Sequence, residues 1–450
     1  MPENENMPDS TTPDATTDSA TDSMTDSNPE AKVEAGAPAP QKAQANPPKD
    51  KGRKGGEPEQ PKQPKQPEQK ADPTDKPAQP ARADKADKAD KPKAPRLTHP
   101  EPVHSTPDRS ETLRRVDGRE MRLAVGNSHF PVEQTEAWER FEEAMGRPLW
   151  GRYLYEDEGK PVAAIALYRY EMGGQTFLWA KHGPVWLKEQ SPEREAHLRR
   201  LLRSVVKERD RSVRFIRMHA RYGAADLREL LSTITYDRTY VIDLTPKTPE
   251  KIAAVMPKDG RRAVKRAERV AREAGCTISD ETGLSREEFD QVYEVLRETA
   301  ERDGFKPHDA EVYWTMLTSL GEKNARLFVL RKDGVPHAWD LILTSGKDSV
   351  AYYGASSNES RTFRGAEALD WWAACTLAQE GYRGLDLMGA GSTRVPSLYT
   401  VGQYKKRYAQ HVTEVDGAWD VPVSRAIYSG MRTAKRLRDA LRARRGSRED

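Results

Sequence analysis

The chain has 450 residues, a net charge of +3 from 74 Lys and Arg against 71 Asp and Glu, and two cysteines, Cys276 and Cys375. Two cysteines exclude a disulfide framework, and neither they nor the nine scattered histidines have the paired spacing of a zinc site, so no metal is expected. No apolar run approaches the roughly 20 residues of a membrane helix, and the N-terminus lacks a signal peptide's basic start and apolar core, so a cytoplasmic location is expected.

Residues 1–110 are almost free of aromatics and large aliphatics and contain tracts such as "PKQPKQPEQK" and "ADKADKADK". Such a segment cannot bury enough apolar surface to offset the entropy of ordering it, and the expectation is a disordered, low-complexity arm. Charge is uneven: residues 1–100 sum to −2 and residues 421–450 to +6. A basic excess of this kind favours anionic partners such as nucleic acid, phosphorylated metabolites or an acidic membrane surface, although a merely soluble surface reads the same way.

Along the folded part, "DEGKPVAAIALYRYEMGGQTFLWAKHGPVW" reads as a hairpin that turns through Gly. "SPEREAHLRRLLRSVVKERD" then has a Ser cap, acids in its first turn and a stripe of Leu198, Leu201, Leu202, Val205 and Val206, the marks of a helix. The strand "VRFIRMH" follows. The same order recurs as the hairpin "KDGVPHAWDLILTSGKDSVAYYGASS", the helix "GAEALDWWAACTLAQEGY" and the strand "GLDLMGAG". A unit that occurs twice predicts two related α/β domains, 111–245 and 246–420, with a basic amphipathic helix over 421–450.

The second unit is preceded by "KDGRRAVKRAERVAREAG", in which Val264, Ala267, Val270 and Ala271 form a narrow apolar stripe. Arg261, Arg262, Lys265, Arg266, Arg269 and Arg272 cover most of the remainder, which reads either as a solvated face or as a phosphate-binding one. The tail places Ile427, Met431, Ala434, Leu437 and Leu441 on one stripe among arginines, to rest on anionic lipid, on RNA or on the protein's own core. "YKKRY", residues 404–408, is expected as a strand. Tyr404, Lys406 and Tyr408 would then share one face, and Lys405 and Arg407 the other.

No Walker loop, dinucleotide fingerprint or G-x-S-x-G elbow is present. "RTFRGA", Arg361 to Ala366, occupies the hairpin-to-helix junction where an acetyltransferase holds the pyrophosphate of coenzyme A, but lacks that motif's spacing.

Seven segments in order resemble the Fem family of FemABX peptidyltransferases: "VEQTEAWERF", "HGPVW", "VIDLTPKTPEKIAAVMPKDGRRAVKRAER", "AERDGF", "YYGASS", "GYRGLDLMGAG" and "YKKRYA". The similarity runs from Asn127 to Glu414. It implies an α/β fold of two tandem acetyltransferase-like (GNAT-like) domains. It also implies transfer of an amino acid from aminoacyl-tRNA to the stem-peptide amine of a peptidoglycan precursor, either lipid II or UDP-MurNAc-pentapeptide. No resident cofactor is implied, because the tRNA ester is already activated. Contact with the inner face of the membrane would be peripheral.

Carried onto this sequence, the family's closing motif places Lys405, next to Tyr404, against the reacting ester, where an ammonium would stabilise the developing oxyanion. Tyr353 and Tyr313 match tyrosines that contact the precursor, with core packing as the alternative. His308 stands where relatives often carry an arginine. Arg140 or Arg147 would replace a family lysine that falls near Glu142, and His219 replaces an acid of some relatives. Asp386 and Asp340 are candidates by location for the base that accepts the amine's proton. Two rival readings keep other chemistry: a coenzyme A-dependent N-acyltransferase, or a non-catalytic basic module for RNA or membrane.

Overall fold

The computed structural model describes residues 110–231 and 235–446. The arm expected over residues 1–110 lies outside them apart from Ser110. The described residues form two mixed seven-stranded sheets with helices packed on them.

The first sheet begins with β1 (Glu111–Val116), β2 (Leu149–Asp157), β3 (Lys160–Met172) and β4 (Gln175–Trp179) as antiparallel neighbours. The short β5 (Val185–Trp186) pairs with β3. Helices α1 (Gly118–Val125) and α2 (Glu136–Ala144) separate β1 from β2, and α3 (Pro192–Arg209) connects β5 to β6 (Val213–Ala220), which lies parallel to β4. Ser191 caps α3 by accepting from the Arg194 amide, and Pro192 occupies its first turn. Leu198, Leu202 and Val206, at helical spacing, bury one face of α3 against the sheet.

The second sheet repeats the plan. α4 (Pro249–Val255), the basic α5 (Lys258–Glu273), β8 (Cys276–Asp280), α6 (Arg286–Asp303) and α7 (Ala310–Leu320) lead into β9 (Ala325–Lys332), β10 (Val335–Ser345) and β11 (Asp348–Ser356). α8 (Gly365–Gln379) then crosses to β12 (Gly384–Gly389), parallel to β11. In α5, Val264, Ala267 and Ala271 are buried, as their spacing predicts.

The sheets trade end strands. β7 (Arg238–Asp243), within the span expected for the first domain, pairs with β12 and with β13 (Thr413–Glu414) in the second sheet. β14 (Gly417–Pro422), within the span expected for the second, pairs with β6 and closes the first. The buried ion pair Arg217–Asp420, 2.7 Å, sits on opposed residues of β6 and β14, and Tyr428 donates to Asp420 at 2.8 Å. A buried pair of this kind is satisfied only if β14 lies on the first sheet.

One apolar core joins the two halves: Trp138 and Phe141 of α2 share it with Tyr313, Met316 and Leu317 of α7 and with Trp339, Tyr352 and Tyr353. α10 (Arg425–Gly446) follows β14. Tyr428 is buried and Met431 packs on the core, whereas Ile427, Leu437 and Leu441 of the expected stripe are exposed. No described helix is long and apolar enough to cross a membrane.

Candidate active site at the seam of two domains

β11 and β12 pair only where Asp348–Val350 meet Gly384–Asp386, and then diverge. The space between them is closed from one side by α9 (Tyr399–Lys405). "YKKRY" is therefore not a strand: its first two residues end a helix that follows Pro396, and the rest form a turn. The reason lies in spacing and packing. Gly402 lets α9 approach the backbone of Ala390 and Gly391, and the four-residue step of a helical turn brings the Tyr404 and Tyr408 hydroxyls to 2.9 Å. Tyr404, Lys405 and Tyr408 are buried, Lys406 is exposed, and Arg407 reaches Glu367 at 2.6 Å.

Lys405 is 3 % exposed, and its Nζ donates to the carbonyl oxygens of Met388 at 3.1 Å and Gly389 at 3.2 Å. Burial pushes its ammonium down to about 8, opposed by the charges of Asp386 and Asp370. It lines a cavity of about 30 Å³ with Asp340, Asp370, Tyr353 and Tyr404. That is room for a small group such as a water or an ester carbonyl. Tyr404 donates to Asp370, and Tyr408 lies 3.5 Å from the same carboxylate oxygen.

Tyr353 lines this cavity and also a much larger cleft of about 590 Å³. Its wall carries Arg147, Arg169 and Lys181 together with Glu142, Glu171 and His308, and Arg169 is paired with Asp210. Arg147 is held by Glu142 and lies 5.0 Å from the Tyr170 ring centre, while Tyr170 donates to Glu142 at 2.6 Å. Lys181 sits among the rings of Trp179, Trp138 and Tyr352 at 5.0–5.6 Å. Such a cage holds the ammonium in place while the cleft stays accessible.

Of the residues singled out from sequence, Lys405, Tyr404 and Tyr353 meet at the small cavity, and Tyr353 joins His308 in the cleft. Tyr313 lies beneath the wall: it is fully buried, packs edge-on against Tyr353 at 4.9 Å and accepts from the His308 amide at 3.3 Å. Of the two arginines the resemblance left open, Arg140 is away from the cleft, donating to the Ser319 carbonyl at 3.1 Å, and Arg147 lines it. Asp386 lines a second cavity, of about 240 Å³, and its charge also acts on Lys405. Its carboxylate accepts from Thr239 and from the Met388 amide at 2.6 Å, which makes it a brace for the strand end.

Asp340 does line the small cavity with Asp370, and its carboxyl is raised well above the usual range by burial and by that neighbour. His219 stacks on His182 at 4.8 Å, and burial pushes both imidazoles down to about 3. Sequence reasoning missed Asp370 and Lys181. Each carries a signal: Asp370 is one acid inside the apolar run "ALDWWAA", and Lys181 follows closely on an aromatic strand. Among the described residues, no group of three His, Cys, Asp or Glu is arranged to hold a metal.

The basic helix α5 stands directly behind this site. Gly260, in its first turn, abuts the Arg407 carbonyl, and the helix packs on α8. Arg262, Lys265 and Arg266 are exposed, and Arg261 is half-buried and donates to the Ala254 carbonyl at 2.9 Å.

Two units of hairpin, helix and strand, with a small cavity between diverging parallel strands, define a protein of the tandem acetyltransferase-like class. Residues 258–406 match the acetyltransferase (GNAT) domain family. The chain has the fold of the crystal structure of FemX, with TM-score 0.57 and 15% identity over 71% of this chain and 99% of that one. It is more distantly similar to L-PGS from Bacillus licheniformis (TM-score 0.43, 13% identity, 72% and 97% covered). A tandem GNAT protein from the clavulanic acid biosynthesis pathway is comparable (TM-score 0.41, 12% identity, 70% and 99% covered). Those two likenesses are too remote to bear on the reading. No curated protein sequence gives a significant match.

Proposed function

We propose that this chain is an aminoacyltransferase that moves an amino acid from aminoacyl-tRNA to the side-chain amine of a peptidoglycan stem peptide. The observation that carries the reading is the buried Lys405 ammonium at a small cavity whose lining residue Tyr353 also lines a large cleft carrying Arg147, Arg169 and Lys181. The attacking amine adds to the ester carbonyl, negative charge gathers on its oxygen, and the tRNA ribose leaves with a proton. A fixed ammonium beside that oxygen stabilises the transition state more than the ground state. No enzyme nucleophile is needed, because the ester is activated on arrival.

The cleft with Arg147, Arg169 and Lys181 suits the diphosphate of an acceptor such as lipid II or UDP-MurNAc-pentapeptide, with Tyr353 and His308 between diphosphate and ester. The exposed face of α5 suits tRNA phosphates through Arg262, Lys265 and Arg266. The basic α10 suits an anionic headgroup layer, which would place the enzyme in the cytoplasm, peripheral to the inner membrane face. The test is transfer of a labelled amino acid from a charged tRNA pool to either precursor, with ribonuclease treatment as control. The reading requires transfer that ribonuclease abolishes.

The match of residues 258–406 to the acetyltransferase domain favours one other reading, a coenzyme A-dependent N-acyltransferase. It predicts that coenzyme A raises the unfolding temperature. The aminoacyl-tRNA reading predicts no such shift.

A further inference from the structure

The small cavity at Lys405 holds unused hydrogen-bonding capacity of two opposite kinds. The Lys405 ammonium has three hydrogens, and two of them go to the Met388 and Gly389 carbonyls at 3.1 and 3.2 Å. The third has no acceptor among the described residues. The same cavity is lined by Asp340 on β10, which is only 9 % exposed. Among the described residues no hydroxyl, amide or cation donates to it. Asp370 on α8 lines the cavity too: one of its carboxylate oxygens takes the Tyr404 and Tyr408 hydroxyls, and the other takes neither.

Burying a carboxyl without a donor is costly, and a donor that arrives with a ligand accounts for the placement of Asp340. The other acids nearby are already engaged. Asp386, whose charge acts on Lys405, accepts from Thr239 and the Met388 amide and lines the neighbouring cavity. Glu367 is paired with Arg364 and Arg407.

An aminoacyl ester meets both kinds of capacity at once. Its carbonyl oxygen is an acceptor, and its α-ammonium, one carbon from that carbonyl, is a donor three times over. At about 30 Å³ the cavity has room for about two water-sized groups, which is what a carbonyl oxygen and an ammonium amount to. Two cations in so small a space repel each other, and two carboxylates in that space offset both. α8, which carries Asp370, also packs against α5, whose Arg262, Lys265 and Arg266 are exposed, so the surface suited to tRNA phosphates adjoins the helix that carries one of the acids.

We propose that Asp340 and Asp370 are the receptor for the α-ammonium of the amino acid being transferred, so that the site selects an aminoacyl donor over a plain acyl one. This rests on the aminoacyl-tRNA reading given above and adds to it the residues that read the donor's amine. Burial raises both carboxyls above the usual range, and an ammonium bound beside them lowers them again.

The test uses two stable analogues of the charged tRNA end: CCA trinucleotides ending in 3′-amino-3′-deoxyadenosine that carries either a glycyl or an acetyl amide. They differ only in the ammonium. Titrated against the full chain at neutral pH, the glycyl analogue is expected to bind about 10²-fold more tightly, the scale of losing one partner of a buried charge pair. Asp340→Asn and Asp370→Asn, both isosteric, are expected to lose most of that preference by weakening the glycyl analogue while leaving the affinity for the acetyl analogue unchanged.

Equal binding of the two analogues by the wild type overturns the receptor and leaves the aminoacyl-tRNA reading in place. A preference that survives undiminished in both variants overturns it as well. If neither analogue binds the wild-type chain, the aminoacyl-tRNA reading falls and the receptor with it. Should one Asn variant not fold, the other variant and the wild-type comparison still decide.

Discussion

A Cβ atom placed on Gly260 would lie 1.8 Å from the carbonyl oxygen of Arg407, so the first turn of the basic helix is pressed directly onto the segment that carries Lys405. The obstacle is backbone rather than the end of a flexible side chain, and one of the two elements must move to admit a methyl group. Gly260→Ala is expected to cost about 1–3 kcal/mol, the range for overpacking, and to lower transfer by displacing α9. Thermal unfolding together with an activity assay checks this; an unchanged unfolding temperature contradicts the contact.

Arg147 and Arg140 are both arginines near the same helix, but they answer to different surroundings. Arg147→Ala leaves Glu142 buried without its cation and is expected to destabilise by about 3–5 kcal/mol. The double variant Arg147→Met with Glu142→Gln should recover most of that stability and still bind an anionic acceptor weakly. Arg140→Ala, at an exposed site, should change stability by no more than about 0.5 kcal/mol and leave acceptor binding intact. Denaturant unfolding and acceptor titration distinguish the three variants.

The exchanged strands make the chain after residue 416 part of the first sheet. Asp420→Ala strips the counter-charge from Arg217, which is fully buried, and should destabilise by about 3–5 kcal/mol. Hydrogen exchange is expected to accelerate in β6 and its neighbours while β9–β11 stay protected, since local stability follows the elements whose packing is lost. Loss of protection confined to the second sheet would contradict the assignment of β14.

Activity and stability should respond oppositely to alkali. If the Lys405 ammonium stabilises the oxyanion as proposed, transfer falls as pH rises through about 8. The folded-state value of Lys405 lies below the 10.5 of an unfolded lysine, so between pH 8 and 10.5 the unfolded chain binds more protons. Stability from this group therefore rises with pH across that window, and Lys405→Met should remove the rise. A pH–rate profile and unfolding at pH 8 and 10 read the two effects separately.

Much of the fold was legible because it repeats. The helical stripe of Leu198, Leu202 and Val206 and the Gly-containing turns of both hairpins are local signals, and the second copy strengthened the first. The strand exchange was not legible. Register across sheets depends on long-range pairs such as Arg217 with Asp420, 203 residues apart, and no local pattern announces them. The conformation of residues 404–408 differs from the strand expected because two tyrosines four residues apart share a face in a strand as well as at the end of a helix. The tight packing of Gly402, visible only in three dimensions, decides it. Lys405 is found by resemblance, whereas Asp370, which lines the same cavity, sits within the apolar run "ALDWWAA" with no motif to mark it.

The central claim is that Lys405 stabilises the oxyanion formed when an amine attacks an aminoacyl-tRNA ester. Its most direct test compares wild type with Lys405→Met for transfer of labelled amino acid from charged tRNA to lipid-linked or nucleotide-linked precursor at pH 7. The variant replaces a buried ammonium with an apolar chain of similar length, so its fold should hold. The account predicts ribonuclease-sensitive transfer by the wild type and a fall of about 10²–10³-fold in the rate constant of the variant, the loss typical of one oxyanion donor. Equal transfer by the two proteins would contradict it.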